Sequence, residues 1–195
     1  MNFEEAVIAL RSAKEPSEMR STLERLRILT NPSGIEDKAI KAALPNLIVK
    51  GMQEHPLEPG VQEAGAGCLT NICGHEDQVG ALERARAIER AGAFETVSSA
   101  ITAAFAFADG DHSKYHITDR SFAHPEVSMV VVEGCAMLAT CARLSPELRR
   151  AALAAGALPA WLMDAAQIEQ VDQQGPPAAA DEPKARNGRR ACSVC

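Results

Sequence analysis

Between Gly60 and Ala104 the chain reads GVQEAGAGCLTNICGHEDQVGALERARAIERAGAFETVSSAITAA, and this stretch leaves it few ways to fold. Val61, Ala64, Gly65, Cys68, Leu69 and Ile72 fall at the i, i+3, i+4, i+7 and i+8 spacing of one helix face. Gln62, Glu63, Thr70 and Asn71 occupy the other face. From Ala64 to Gly67 no side chain is larger than a methyl group, so another helix can pack very close. After Gly92, the residues Phe94, Val97, Ile101 and Phe105 mark the stripe of a second helix. Neither helix can bury its stripe alone, so the pair needs neighbours.

The chain supplies them by repeating itself. VVVEGCAMLATC, from Val130 to Cys141, aligns on Val61 to Ile72 at an offset of 69, with Gly134 on Gly65 and Leu138 on Leu69. Ala-Gly-Ala at 155–157 aligns on 91–93 at an offset of 64. Leu29-Thr30-Asn31 precedes Leu69-Thr70-Asn71 by 40, and Ala42-Ala43-Leu44 precedes Gly92-Ala93-Phe94 by 50. Self-similarity at tens of residues, with connections of unequal length, marks repeats that gain a core only by stacking.

The runs VQEAGAGCLTNI and IERAGAFETVSSAI resemble the third and second helices of armadillo repeats. The resemblance covers roughly residues 2–170 and is strongest in the middle unit. It implies an all-α fold over 1–170: a right-handed α-solenoid of about three armadillo-like repeats plus a partial N-terminal one. Armadillo and HEAT periods run about 40–47 residues, so the wider spacings imply insertions, one of them at 108–124. In that fold the third helices line a concave face. Karyopherin-type members place an Asn ladder there, each Asn four residues after a Trp. The Asn positions match Asn31, Asn71 and Thr140, and the Trp positions hold Arg27, Gly67 and Ala136. The resemblance thus implies a partner-binding face of Arg27, Asn31, Gln62, Asn71, Ala136 and Thr140. The alternative is that Asn31 and Asn71 cap helix ends locally.

Charge narrows the partner. Residues 1–183 hold 16 Lys and Arg against 26 Asp and Glu, a net of -10 in a chain of -6 overall. Nucleic-acid binding leans on Lys and Arg, so the expected partner is a protein or peptide, with a basic one favoured by complementarity. A solvated acidic surface that only aids solubility is the competing reading. Hydrophobic residues make up 46% and aromatics 4%, which suits helices packed through small residues. No apolar run reaches the roughly 18 residues of a membrane span, and the start MNFEEAVIALRSAKE has no basic n-region. Six cysteines then read as reduced cytosolic thiols.

The loop from Asp109 to His124 offers Asp109, Asp111, His112, His116, Asp119 and His124, but Lys114 and Arg120 stand where a calcium loop needs Gly and Glu. It reads as a polar surface loop, with Tyr115 and Phe122 available to a partner. Cys68, Cys73, Cys135 and Cys141 lie on or near the apolar stripes, and their spacing does not suit a zinc ribbon. Walker, Gly-x-Ser-x-Gly and paired-carboxylate signatures are all missing, so neither an enzyme nor a cofactor is expected. Residues 171–195 read as a disordered basic tail ending in Cys192-Ser193-Val194-Cys195, the outline of a prenylation box. A lipid on Cys192 beside Lys184, Arg186, Arg189 and Arg190 would make the chain a membrane-tethered adaptor instead. The opening half unit lacks an obvious polar cap, which predicts an apolar edge and self-association.

Overall fold

Proline and cap residues set where the helices begin. The structure, a computed structural model, describes residues 1–31, 35–74, 80–108 and 125–156. All lie in the first of two compact units, residues 1–157. Residues 32–34 and 75–79, the expected polar loop 109–124 and the expected tail 171–195 with Cys192 lie outside the described residues.

Among the described residues the fold is all α, with no strand. In order come α1 (Phe3–Ser12), α2 (Pro16–Thr30), α3 (Glu36–Lys41), α4 (Leu44–Glu54), α5 (Pro59–Cys73), α6 (Ala81–Arg90), α7 (Ala93–Ala108), α8 (Pro125–Ala142) and α9 (Pro146–Ala154). Asn2 and Glu5 form a capping box: Glu5 N donates to Asn2 Oδ1 at 2.9 Å and Asn2 N to Glu5 Oε2 at 2.8 Å. Ser145 Oγ accepts from Leu148 N at 3.2 Å, with Pro146 in the first turn. Prolines also open α2 and α5, so α5 starts two residues before its apolar stripe.

Helix α5 is the centre. It packs against α2 and α8 most extensively, and also against α3, α4, α6 and α7. Only Glu63, Thr70 and Asn71 within it keep partial exposure. Two of its glycines show why it is so lightly built. A Cβ on Gly65 would lie 2.6 Å from Met52 Sδ of α4, and one on Gly67 would lie 2.6 Å from Arg27 Nε of α2. Each glycine costs the helix about 1 kcal/mol relative to Ala, and that cost is offset by the close approach.

The packing repeats every three helices. Helix α2 packs on α5 and α5 on α8; α1 packs on α4 and α4 on α7; α3 packs on α6 and α6 on α9. Gly134 of α8 repeats the role of Gly65: its Cβ would lie 2.9 Å from Ile101 of α7. Met52 and Ile101, the two residues so met, stand 49 apart, which corrects the offset of 50 read from the sequence. At 49, the buried Leu44, Pro45, Ile48, Val49 and Met52 fall on the buried Ala93, Phe94, Val97, Ser98 and Ile101. The cause is a left-handed residue before each of these helices. Glycine fills it at Gly92 (φ 78) and again after α9 at Gly156 (φ 82), but Ala43 (φ 53) fills it before α4. A sequence alignment pairs like letters and so slides by one. Left-handed backbone costs an L-residue about 1–2 kcal/mol, less the flexibility glycine brings to the unfolded chain. Ala43→Gly is therefore expected to raise stability by about 0.5–1 kcal/mol in urea unfolding, whereas Ala42→Gly, at an ordinary αR position, should lower it.

Two further expectations are corrected. Phe105 lies at the right angle for the α7 stripe but is 49% exposed, because at that height α8 offers Val130 to the small residues Ala100 and Ala104 instead. The exposed edge of the first half unit is mixed rather than apolar. Glu4, Glu5, Arg11, Glu18, Glu24 and Arg25 dominate the exposed side of α1 and α2, with Ile8 and Ile28 the large apolar exceptions.

Candidate functional site

The α2–α5–α8 stack assembles a polar face from single side chains. The 40-residue register between α2 and α5 is visible in space: Arg20 lies over Gly60 and Arg27 over Gly67. With no Cβ in its way, the Arg27 side chain crosses α5 and reaches α8. Its Nη2 is hydrogen-bonded to Glu133 Oε1, and its Nη1 stands 3.5 Å from Glu63 Oε1. One guanidinium thus ties three helices. The Arg27 side chain is 36% exposed, while Glu63 and Glu133 are at 22% and 14%. The carboxylates are the more desolvated partners, so the cluster is held in a less screened setting than an ordinary surface pair.

Asn71 sits one turn beyond Gly67. Its Nδ2 donates to the carbonyl of Arg27 at 2.9 Å, which stands among the last four carbonyls of α2. Asn71 therefore spans two helices rather than capping its own. Asn31 is exposed at the C-cap of α2. On α8, Ala136 is exposed and Thr140 half-buried. Ile28 and Val132 add exposed apolar surface on α2 and α8.

Gln62 does not belong to this face. It was expected among the outward polar residues of α5, yet it is 1% exposed. Its Nε2 donates to the carbonyls of Met52 at 2.8 Å and His55 at 2.9 Å. Helix α5 is covered on nearly every side, so a helical wheel drawn for a two-faced helix misplaces it. Glu63 was read as outward but not as part of the site, and Glu133 was not singled out at all. The signal for both was the pairing of Arg27 with Gly67 at matched repeat positions: a long cation opposite a missing side chain must end on something beyond it.

The remaining features are less suited to a site. A groove of about 440 Å³ between α4 and α7 is lined by Met52, Gln53, Leu57, Thr96, Ala100 and Ala103. Cys68 Sγ donates to the Leu23 carbonyl at 3.1 Å, and burial pushes its thiol well above the usual range. Burial raises Cys135 as well. Among the described residues no three His, Cys, Asp or Glu side chains converge as metal ligands, and no helix is long and apolar enough to cross a membrane. Comparison with protein families, with curated proteins and with solved structures finds no match to this chain.

Proposed function

We propose that this chain is a non-catalytic interaction scaffold, an armadillo-type right-handed α-solenoid that docks a basic peptide along α2, α5 and α8. The supporting observation is the recurrence of packing every three helices, like helix on like helix. Under this reading α2, α5 and α8 are the third helices of successive units. The face they share carries Glu63 and Glu133 beside the amide of Asn71, with Asn31, Ala136 and Thr140 along it. Carboxylates of this kind suit Lys or Arg side chains, and side-chain amides suit the backbone of an extended peptide. The surplus of acids over residues 1–183 steers a basic partner inward.

The test is fluorescence anisotropy with a labelled Lys/Arg-rich peptide, against a Glu-rich peptide of equal length. The basic peptide should bind at least about tenfold more tightly at low salt, and the difference should shrink as ionic strength rises. Equal binding of both peptides would contradict the proposal.

A further inference from the structure

We propose that Cys73 and Cys141 form an oxidisable dithiol, a modification site that peroxide converts to a disulfide joining α5 to α8. The two sulfurs lie 3.8 Å apart and both side chains are fully buried. Each stands in the last turn of its helix, and the two helices are packed neighbours. A disulfide bond length of about 2.05 Å leaves a further approach of about 1.8 Å, small for two side chains at helix ends.

The surroundings make the two sulfurs unequal. Cys141 Sγ donates its proton toward Cys73 Sγ, with Met137 Sδ 3.9 Å from Cys141 on the other side. Arg84, whose side chain is only 6% exposed, stands 3.6 Å from Asp37 Oδ1, and its Nε donates to the Cys73 carbonyl at 3.3 Å. The hydrogen bond from Cys141 lowers the Cys73 thiol below its ordinary range against the opposing effect of burial, with the Arg84 charge a smaller contribution in the same direction. The same bond and burial raise Cys141. A lowered thiol and a waiting second thiol are two features of a peroxide-sensitive cysteine, and the third, access, comes as the last turns of α5 and α8 open locally.

The chemistry balances with hydrogen peroxide as the oxidant. The Cys73 thiolate attacks one peroxide oxygen, the O–O bond breaks, and hydroxide leaves, giving a sulfenic acid. Cys141 then attacks the Cys73 sulfur. The S–O bond breaks, and the Cys141 proton leaves with the departing oxygen as water. Two thiols lose two electrons in all, and one peroxide becomes two waters. Neither step depends on the docking reading above.

The full chain serves for the test, with Cys192→Ser and Cys195→Ser to silence the tail thiols. It is treated with hydrogen peroxide, free thiols are blocked with N-ethylmaleimide, and unreduced peptides are read by mass spectrometry. The expected product is one cross-link between Cys73 and Cys141, reversed by dithiothreitol, with a melting temperature higher by roughly 5–10 °C. Cys135→Ser should leave the yield unchanged. Cys141→Ser, checked for helicity by circular dichroism, should leave Cys73 as a sulfenic acid that dimedone traps. The proposal is overturned if Cys73 and Cys141 both remain open to N-ethylmaleimide, on later unfolding, after the folded chain has been oxidised. It is equally overturned if cross-links to Cys68 or Cys135 form as readily, or if urea-unfolded chain gives the same 73–141 yield.

Discussion

Replacing Gln62 with leucine is expected to lower the unfolding free energy by about 1–3 kcal/mol, a large share of the total for a domain of this size. The reason lies ten residues upstream. The carbonyl of Met52 would ordinarily accept from the amide four residues on, but that residue is Pro56, which has no N–H. The Gln62 amide supplies the missing donor at 2.8 Å and bonds the His55 carbonyl as well. His55 O also accepts from Glu58 N, so Met52 O is the group most exposed to the loss. Leucine keeps the bulk and removes the donors, leaving a buried carbonyl unpaired. Gln62→Glu should be at least as damaging, since a carboxylate would face two carbonyl oxygens. Urea unfolding followed by circular dichroism measures both. A change within about 0.5 kcal/mol, the range of ordinary surface substitutions, would return Gln62 to the pool of binding residues.

The second large effect concerns the proposed docking face, and its two arms have opposite signs. Glu63→Gln with Glu133→Gln is expected to weaken a Lys/Arg-rich peptide by about 10–100-fold, the loss of two charge-assisted contacts. Arg27→Ala is expected to strengthen the same peptide by about 3–10-fold, because Arg27 already holds the place that a partner's cation would take. Neither change should unfold the chain. Arg27 is exposed enough for water to solvate it once its partners are neutral, and Arg27→Ala, which leaves Glu63 and Glu133 without it, should cost about 1–3 kcal/mol, below the total for a domain of this size. Anisotropy titrations at two salt concentrations separate the arms. If Arg27→Ala weakens the peptide, Arg27 is a contact to the partner and the reading of an internal stand-in fails.

The helices were legible because their signals are local. The recurrence of the Val61–Ile72 pattern at Val130–Cys141 located α8. Paired glycines at 65 and 134 announced a close approach that the structure places against Met52 and Ile101. What failed were properties that depend on neighbours. Gln62 has the angle of an outward residue, but α5 is enclosed, and Pro56 decides what the amide does. Ala43 hides a left-handed position that glycine reveals elsewhere, so the repeat register slipped by one. Glu133 looked like any acid on a helix, since nothing near it in sequence shows that Arg27, 106 residues earlier, ends there. The Cys73–Cys141 contact was equally hidden, because stripe position gives burial but not which thiol meets which.

The most direct measurement is a backbone amide titration by NMR, adding the Lys/Arg-rich peptide to isotopically labelled chain at low salt. Shifts should concentrate on Glu63, Asn71, Glu133 and Thr140 and on the flanking turns of α2, α5 and α8, and should vanish in the Glu63→Gln, Glu133→Gln variant. Shifts that gather instead along the α4–α7 groove, around Gln53, Thr96 and Ala103, would contradict a docking face on the α2–α5–α8 stack.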